Sequence, residues 1–513
     1  MSGIRQAPGR SAARRRDDWL VGAGFVAALV VFLFQEARIA GAPGFPLDDS
    51  WIHLHFARNL AEGSGFAYNP GRPVAGSTAP LWTLLLAAGI AVGVPPFWAA
   101  KILGSLLTLV GGLVARRLAL AWSGERIVAL LAGAGTLLLG RITWGALSGM
   151  EIGLAALVTT GAFLAHVRER ETMCGLLLGL AILSRPETGL LVPLFLFARP
   201  LTLGRALKLL APVALLVAPA VAFSLATVGA PVPATAAAKV EGGALGLLMG
   251  AREGWQRMLV SRPFEFMAEW VRLLWRDHPA LPFLIPVGLL ILWRRHGRLF
   301  AWPGAILILH PLGMAFLAPY RGPAFQEGRY SAHLAPLAIV VTVAGLWFLL
   351  SRRRRVVAGA ASAYLLIALL LLWPAGQRYA WGVQNINAMQ VHLGHWVAKN
   401  LPLNARLAVN DVGAIAFVSR REVVDLMGLV TPEILPYRRD GQAGVLRYLE
   451  TVCPDYLIIF PDWFPDLARR ADRFTPLYRV KLEQNRVAGA DLMVVFETAW
   501  NRWRPSRIPC PLR

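Results

Sequence analysis

The sequence predicts an α-helical polytopic membrane protein that ends in a small α/β domain outside the membrane. Apolar residues make up 56% of the chain and charged residues only 16%, whereas water-soluble proteins contain about 25% charged residues. Several apolar runs of about 18 or more residues follow one another, and each can cross the hydrocarbon layer. Because the composition changes near residue 377, we divide the chain into a membrane module, 1–376, and a C-terminal domain, 377–513.

Clusters of basic residues indicate which loops face the cytoplasm. The net charge is +22, and much of it lies in short clusters beside apolar runs, at 14–16, 294–298 and 352–355. Short cytoplasmic loops of membrane proteins carry such clusters. We therefore expect the lipid bilayer as a partner and no nucleic acid. The first apolar run, from Trp19, is not followed by a small-residue cleavage site and is interpreted as a retained span.

The apolar runs predict about eleven spans. The first span, 19–40, leads to an external loop at 41–78, and further external loops are expected at 229–277 and 319–332. Later spans are expected near 80–94, 98–121, 150–165, 173–184, 187–198, 207–227, 279–293, 299–318, 333–350 and 357–374. The segment 122–149 is too short for two ordinary spans. It is predicted to form two broken half-helices or a re-entrant segment, which only protein or water contacts can stabilise.

The first external loop is predicted to contain an amphipathic helix that begins near Asp49 and ends by residue 63. An aspartate at this end complements the helix dipole. Asp49 and His53 lie one turn apart on one face, and a neighbouring face carries apolar residues spaced four apart: Ile52, Phe56 and Leu60. Such a helix is expected to lie along the membrane surface.

The C-terminal domain is predicted to alternate strands and helices. Strands are expected at 405–411, 422–429, 455–460 and 491–499, with helices at 388–400 and 442–452. The chain has three cysteines. Cys174 is interpreted as a small core residue, and Cys453 and Cys510 can form a disulfide if this domain faces an oxidising compartment.

Charged residues of opposite sign are brought to one membrane face by the three external loops. Asp48 and Asp49 lie in the first loop, Lys239 in the second and Arg329 in the third. A carboxylate can take the proton of an acceptor hydroxyl, and cations stabilise the negative charge of a departing polyprenyl phosphate. The arrangement therefore suits sugar transfer from a lipid-phosphate donor at the membrane surface.

Each candidate residue also has a simpler interpretation. The two aspartates could cap a surface helix or contact a divalent cation such as Mg²⁺, Mn²⁺ or Ca²⁺, which prefers several oxygen ligands, although the sequence requires no cofactor. Lys239 could extend to lipid headgroups, and Arg329 could anchor a loop at the interface. Other charged or polar residues are interpreted as structural pairs or turn residues: Glu151, Arg185, Glu187, Asn410, Asp411 and Asp425.

The first loop also resembles a known family. The stretch LDDSWIHLHFARNLAEGSGFAYNPGRPVAGSTAPLW (47–82) joins an acidic pair, an amphipathic helix and a Gly/Asn/Pro loop that ends in Thr-x-x-Leu-Trp. It resembles the GT-C superfamily of polytopic glycosyltransferases, and within it the arabinofuranosyltransferase-like proteins of the mycobacterial cell wall. Further similar segments are SGMEIGLAAL, LSRPETGLL, PATAAAK (233–239), GRYSAHLAP (328–336) and NDVGAIAFVSRREVVDLMGL.

The resemblance implies a role for each candidate. The catalytic acid of the family falls on Asp48 or Asp49, Lys239 matches the lysine of the PxTxxAK pattern, and Arg329 and Tyr330 match a late external Arg-Tyr pair. Asp48 or Asp49 is thus expected to be catalytic. Lys239, Arg329 and Tyr330, together with His53, are expected to bind substrate or donor. Relatives often have acidic residues near the positions of Arg72 and Ala75 and an aromatic residue near Ser77, so the identity of the sugar stays open.

The function expected from the resemblance is that of an integral membrane glycosyltransferase. It would transfer a sugar from a polyprenyl-phosphate donor to a glycan, lipid or protein acceptor, with inversion, on the extracytoplasmic face of a bacterial inner membrane. Two alternatives are a transporter or flippase and a non-catalytic envelope assembly protein. A transporter would place charged groups deep within its spans, often in inverted repeats, and we find no internal repeat.

Overall fold

The membrane module is built of helices in a computed structural model that describes residues 8–240, 242–248, 253–317, 322–505 and 507–510. Parts of the second and third predicted loops, including 319–321, lie outside the described residues. The helices are Pro8–Ile39, Asp49–Ala61, Pro80–Ala91, Pro96–Ser123, Arg126–Leu137, Gly140–Leu147, Ile152–Val167, Glu171–Ser184, Leu191–Phe197, Leu203–Val228, Ala234–Ala238, Gly243–Leu248, Arg262–Asp277, Leu281–His296, Arg298–Gly304, Ile306–Leu317, Phe325–Gly328, Ala335–Leu350 and Arg354–Ile386.

Several of these helices can cross a membrane, as the composition predicts. Among the described residues, six helical segments are long and apolar enough to span it. Four shorter apolar segments, between residues 80 and 197, accompany them. The prediction of a polytopic helical protein is confirmed, and the count of eleven spans stays a prediction. The segment 122–149 contains a pair of helices, Arg126–Leu137 and Gly140–Leu147, bent by 54°, which matches the expectation of broken half-helices or a re-entrant segment.

The C-terminal domain contains a five-stranded mixed sheet with the strand order β2-β1-β3-β5-β4. The strands are β1 (Arg406–Val409), β2 (Glu422–Asp425), β3 (Tyr456–Ile459), β4 (Phe474–Lys481) and β5 (Leu492–Thr498). β1 is parallel to β2 and β3, whereas β5 is antiparallel to β3 and β4. Four of the five strands were predicted. β4 was missed because it is an edge strand, largely exposed and interrupted by Pro476.

The helices of this domain connect it to the membrane module. The helix Arg354–Ile386 continues past the predicted boundary at 377, through a π-helical turn at Asn387–Val391, to the helix His392–Asn400. The remaining helices are Gly413–Ser419, Leu435–Arg438, Gly441–Val452 and Pro465–Ala468. Cys453 and Cys510 form the disulfide that the sequence left possible, and Cys174 is buried, as the sequence predicts.

The first external loop packs against the C-terminal domain. Its helix, Asp49–Ala61, ends close to the predicted position, but its apolar face differs from the expectation. Ile52 and Phe56 lie in a core shared with Leu407 of β1, so protein and not lipid covers this face. Asn69 then pairs with the edge strand β2, since its amide nitrogen donates to Val423 O at 2.8 Å and its amide oxygen accepts from Val423 N at 3.0 Å.

Candidate active site

Asp48 links the first loop to the C-terminal domain. Its two carboxylate oxygens accept the backbone N–H groups of Gly413 and Ala414, each at 2.7 Å. These N–H groups begin the helix Gly413–Ser419, so the carboxylate caps it. Burial raises the pKa of Asp48, as does the neighbouring Asp411, and the two N–H donors offset only part of this rise. Both oxygens of Asp48 are therefore engaged in holding the domain.

Asp49 pairs with the two predicted cations. Its Oδ2 lies 3.3 Å from Lys239 Nζ and 2.5 Å from Arg329 Nη2. Burial alone would raise the pKa of Asp49, but the two cations outweigh burial and hold the pKa well below its usual range. The structure thus brings together Asp49, Lys239 and Arg329, which lie on three separate loops.

Lys239 is positioned by contacts of the short helix Ala234–Ala238. Ala234 N donates to Ala75 O at 2.8 Å. The hydroxyl of Thr235 donates to Gly76 O in the first loop and to Leu429 O in the C-terminal domain, the latter at 3.0 Å. These bonds attach the second loop to both neighbours just before Lys239.

Arg329 is positioned by a tight turn and a buried arginine. Gln326 and Glu327 adopt left-handed backbone angles, with φ of 48° and 60°, which few residues other than glycine adopt. Arg141, on the broken half-helix, donates to Gly328 O at 3.2 Å and to Ser331 Oγ at 2.9 Å. The third loop is thereby attached to the membrane module on both sides of Arg329.

The guanidinium of Arg329 keeps donors that no described residue uses. Its Nη2 donates to Asp49 and to the hydroxyl of Tyr330 at 3.0 Å. Nε and Nη1 are buried and have no hydrogen-bond partner among the described residues, and the residue is only 3% exposed. Since buried polar groups are nearly always paired, these two nitrogens indicate a site for an acceptor-rich ligand.

His53 lies beside Asp49, Lys239 and Arg329, between Ser77 and Glu151. Its Nε2 is 3.5 Å from Glu151 Oε2, and its Nδ1 lies 3.2 Å from Ser77 Oγ. Glu151 also pairs with Arg185, whose guanidinium lies 4.9 Å from the ring centre of Tyr330. Burial lowers the pKa of His53, so the imidazole is neutral near pH 7. Glu151 and Arg185, expected to be structural pairs, thus border the predicted site residues.

Two cavities share the residues of this cluster. One, of about 820 Å³, lies between the membrane module and the C-terminal domain and is lined by charged, polar and apolar residues of both. The other, of about 390 Å³, is lined mostly by apolar side chains of the membrane module, including Leu190, Met314 and Leu317. Asp49, Lys239 and Arg329 line both cavities. A carboxylate and two cations therefore border both a cavity of mixed polarity and a mainly apolar cavity.

The carboxylates of Asp48 and Asp49 already contact N–H donors or cationic side chains. Asp48 is committed to backbone N–H groups, and Asp49 faces Lys239 and Arg329. Within the described part of the chain, no group of three or more His, Cys, Asp or Glu side chains could hold a metal ion. A divalent cation between the two aspartates does not fit this arrangement.

The chain is similar in fold to two solved membrane proteins. ArnT from Cupriavidus metallidurans bound to undecaprenyl phosphate is 14% identical, with a TM-score of 0.58 over 93% of this chain and 97% of ArnT. The oligosaccharyltransferase AglB from Archaeoglobus fulgidus, in complex with an inhibitory peptide and a dolichol-phosphate, is 12% identical, with a TM-score of 0.56 over 96% of this chain and 75% of AglB.

The match to a sequence family covers a smaller part of the chain than the similar folds do. Residues 384–503 match a family described as a domain of unknown function, DUF8728. This match covers most of the C-terminal domain and none of the three loops that carry Asp49, Lys239 and Arg329. No curated protein matches the chain.

Proposed function

We propose, starting from the GT-C fold that this chain has, that it is an integral membrane glycosyltransferase that uses a polyprenyl-phosphate sugar as donor. The observation that carries the proposal is the contact of Asp49 with Lys239 and Arg329 where a cavity of mixed polarity and a mainly apolar cavity share residues. A reaction between a lipid-borne donor and a polar acceptor requires such a meeting point. The narrower likeness to arabinofuranosyltransferases stays a prediction.

The apolar cavity suits the lipid part of the donor. Its lining includes Leu190, Val232, Met314 and Leu317, together with Lys239 and Arg329. A phosphate there would accept hydrogen bonds from the unpartnered Nε and Nη1 of Arg329, in the fork geometry that arginine offers to phosphates. The undecaprenyl phosphate bound by ArnT and the dolichol-phosphate bound by AglB support a ligand of this class.

Asp49 is the better candidate for the general base of the two aspartates. Its cationic partners hold it ionised, which lowers its basicity. A donor phosphate that binds Lys239 and Arg329 would neutralise part of their charge, and the basicity of Asp49 would rise. The carboxylate then takes the proton of the acceptor hydroxyl as that oxygen bonds to the anomeric carbon. The bond from this carbon to the phosphate oxygen breaks, polyprenyl phosphate leaves, and direct displacement inverts the anomeric centre.

The neighbouring residues are proposed to position these groups. Asp48 holds the helix Gly413–Ser419 and so fixes the start of the helix that carries Asp49. Tyr330 receives a hydrogen bond from Arg329, and His53 connects the cluster to Glu151. These contacts restrict the rotamers of Asp49 and Arg329, as a preorganised active site requires.

The active site is proposed to face the extracytoplasmic side of a bacterial inner membrane. The basic clusters at 294–298 and 352–355 favour a cytoplasmic position for their loops. The disulfide between Cys453 and Cys510 favours an oxidising compartment for the C-terminal domain. Because Asp48 is bonded to that domain, the catalytic residues would lie on the same side.

The proposal is tested with purified protein in detergent and a panel of polyprenyl-phosphoryl sugars. The wild type is expected to release polyprenyl phosphate in the presence of acceptor extracts, and Lys239→Ala and Arg329→Ala to bind polyprenyl phosphate at least about tenfold more weakly. Lys399→Ala, an exposed lysine of the C-terminal domain, serves as the matched control. No release with any donor, or counterflow of a labelled lipid-linked sugar in liposomes without release, would overturn the proposal.

A further inference from the structure

Three polar residues of the larger cavity are not used by the proposed chemistry. Asn410 and Asp411 directly follow β1, at the carboxyl end of the parallel strands, where ligands of α/β sheets commonly bind. Gln390 lies in the π-helical turn Asn387–Val391, a feature frequent at functional sites. All three line the cavity that also contains Asp49.

The hydrogen bonds of this cluster leave two buried atoms unused. Gln390 Nε2 donates to Asp411 Oδ2 at 2.6 Å, and Asn410 Oδ1 accepts from Phe460 N at 3.0 Å. The other amide atoms, Gln390 Oε1 and Asn410 Nδ2, are buried and have no hydrogen-bond partner among the described residues. Gln390 is 0% exposed and Asn410 2% exposed. Leaving such groups unpaired costs about 1–3 kcal/mol each, so a ligand that pairs them would bind favourably.

The free atoms specify the chemistry of that ligand. Gln390 Oε1 can accept a hydrogen bond, Asn410 Nδ2 can donate one, and the Asp411 carboxylate can accept one. Neighbouring hydroxyl groups of a sugar both donate and accept, so they satisfy such a set. Trp463 lines the same cavity and is held by a bond from its indole nitrogen to Gly489 O at 3.0 Å. Its indole offers an apolar face against which a sugar ring can pack.

We propose that Gln390, Asn410 and Asp411 form the acceptor subsite and that the acceptor is a saccharide bound through its hydroxyl groups. The inference rests on the proposed function, and it narrows the acceptor from a glycan, lipid or protein to a saccharide. The acceptor would approach Asp49 from the C-terminal domain, opposite to the apolar cavity of the donor. Asp411 acts through acceptor binding, while Asp49 takes the proton.

Saccharide binding tests the subsite separately from the transfer reaction. A panel of octyl glycosides is titrated against the full-length protein in detergent, and binding is followed by saturation-transfer NMR. Asp411→Asn replaces the carboxylate with an amide. Asn410→Asp removes the donor Nδ2 but keeps an oxygen that accepts from Phe460 N. Each is expected to weaken saccharide binding about tenfold, without change in polyprenyl phosphate binding. Asp491→Asn, an exposed aspartate of the same domain away from the cavity, should bind like the wild type.

The outcomes separate the two proposals. If the wild type binds no octyl glycoside, or if the two subsite variants bind as well as Asp491→Asn, the acceptor subsite is wrong. If saccharide binding depends on Asp411 but no donor of the panel is consumed, the glycosyltransferase function is wrong. Where transfer is measured, replacing a residue of the subsite should raise the acceptor KM and leave kcat nearly unchanged. A fall in kcat alone would contradict a binding role.

Discussion

Asp48 and Asp49 are adjacent in sequence, but their carboxylates face different partners. Asp48 accepts two backbone N–H groups of the C-terminal domain, whereas Asp49 faces two cations of the second and third loops. Adjacent helical residues point about 100° apart, so one residue pair can serve two surfaces. The first residue then holds a domain, and the second lies at the proposed donor phosphate site.

Replacing each aspartate by asparagine should separate these tasks. Asp49→Asn removes the base and should lower the transfer rate by about 10²–10⁴, with little loss of polyprenyl phosphate binding. Asp48→Asn replaces one of the two acceptors of Gly413 and Ala414, and should cost about 1–3 kcal/mol of unfolding free energy. Single-turnover transfer and thermal unfolding measure the two effects. If Asp48→Asn abolished transfer without loss of stability, Asp48 would be the base.

The titration of the Asp411 carboxyl group should make acceptor binding depend on pH. Burial raises the pKa of Asp411 to about 6, and Asp49 and Asp425 add to the rise, while the bond from Gln390 opposes it. The carboxylate that we propose accepts a sugar hydroxyl therefore becomes protonated as the pH falls through about 6. Asp48 also faces this carboxylate, and Lys239, Arg438 and Arg439 line the same cavity. The acceptor KM should rise below pH 6 in the wild type and stay flat in Asp411→Asn.

The residues proposed for the donor side were selected from the sequence, and those proposed for the acceptor side were not. Lys239 and Arg329 lie in short patterns that resemble those of GT-C proteins, which led to their selection. Asn410 and Asp411 look like ordinary turn residues after a strand, and Gln390 looks like a helix residue. Their role depends on how the C-terminal domain packs over the first loop, and no local pattern specifies that packing.

The helix Gly413–Ser419 approaches the first loop so closely that its first residue has no room for a side chain. A Cβ added to Gly413 would lie 2.1 Å from Asp48 O and 2.8 Å from the carboxyl carbon of Asp48. This contact is what allows the N–H groups of Gly413 and Ala414 to reach the Asp48 carboxylate. The helix and the acidic pair are therefore mutually dependent elements.

Gly413→Ala should disturb the active site from a distance. The added methyl would push the helix away from Asp48, lower the unfolding temperature and reduce transfer, since Asp49 follows directly. The expected cost is about 1–3 kcal/mol, as for overpacking in a close contact, measured by thermal unfolding and by transfer rate. Gly359→Ala is the control, because a Cβ there meets nothing within 4 Å. Equal behaviour of the two variants would contradict the close contact.

The disulfide between Cys453 and Cys510 fastens the C-terminal segment to the end of the helix Gly441–Val452. It closes a loop with a sequence separation of 57 residues. The free energy of unfolding of the double variant Cys453→Ser/Cys510→Ser should therefore be about 2–4 kcal/mol lower than that of the wild type. Denaturant unfolding with and without a reducing agent measures this loss. The reductant should destabilise the wild type and leave the double variant unchanged, and an effect on both would assign the loss to another cause.

The elements with strong periodicity or marked turns were predicted, and those defined by packing were not. The helix of the first loop, the strands β1, β2, β3 and β5 and the broken pair of half-helices follow from local patterns. β4 and the short helix Gly413–Ser419 do not, because β4 is an exposed edge strand and the helix is only seven residues long. Their positions are fixed by contacts with distant parts of the chain.

The proposed orientation of the whole molecule is based on the charge of its loops and can be tested with introduced thiols. Arg469→Cys lies on an exposed part of the C-terminal domain, and Arg353→Cys lies in a predicted cytoplasmic loop. The native cysteines should react little, because Cys174 is buried and the other two are bonded. In intact cells, a membrane-impermeant maleimide should label only Arg469→Cys. Labelling of Arg353→Cys instead would reverse the proposed orientation.

The bond between Asp48 and residues 413–414 also bears on when the proposed transferase could become active during its biosynthesis. The two partners are separated by 365 residues of chain, which include every predicted span after the first. A ribosome-bound chain whose C-terminal domain is not yet made exposes the acidic pair without the domain that covers it. For the transferase proposed above, turnover of donor lipids by half-made protein would thereby be disfavoured, and activity would begin only once the C-terminal domain is in place.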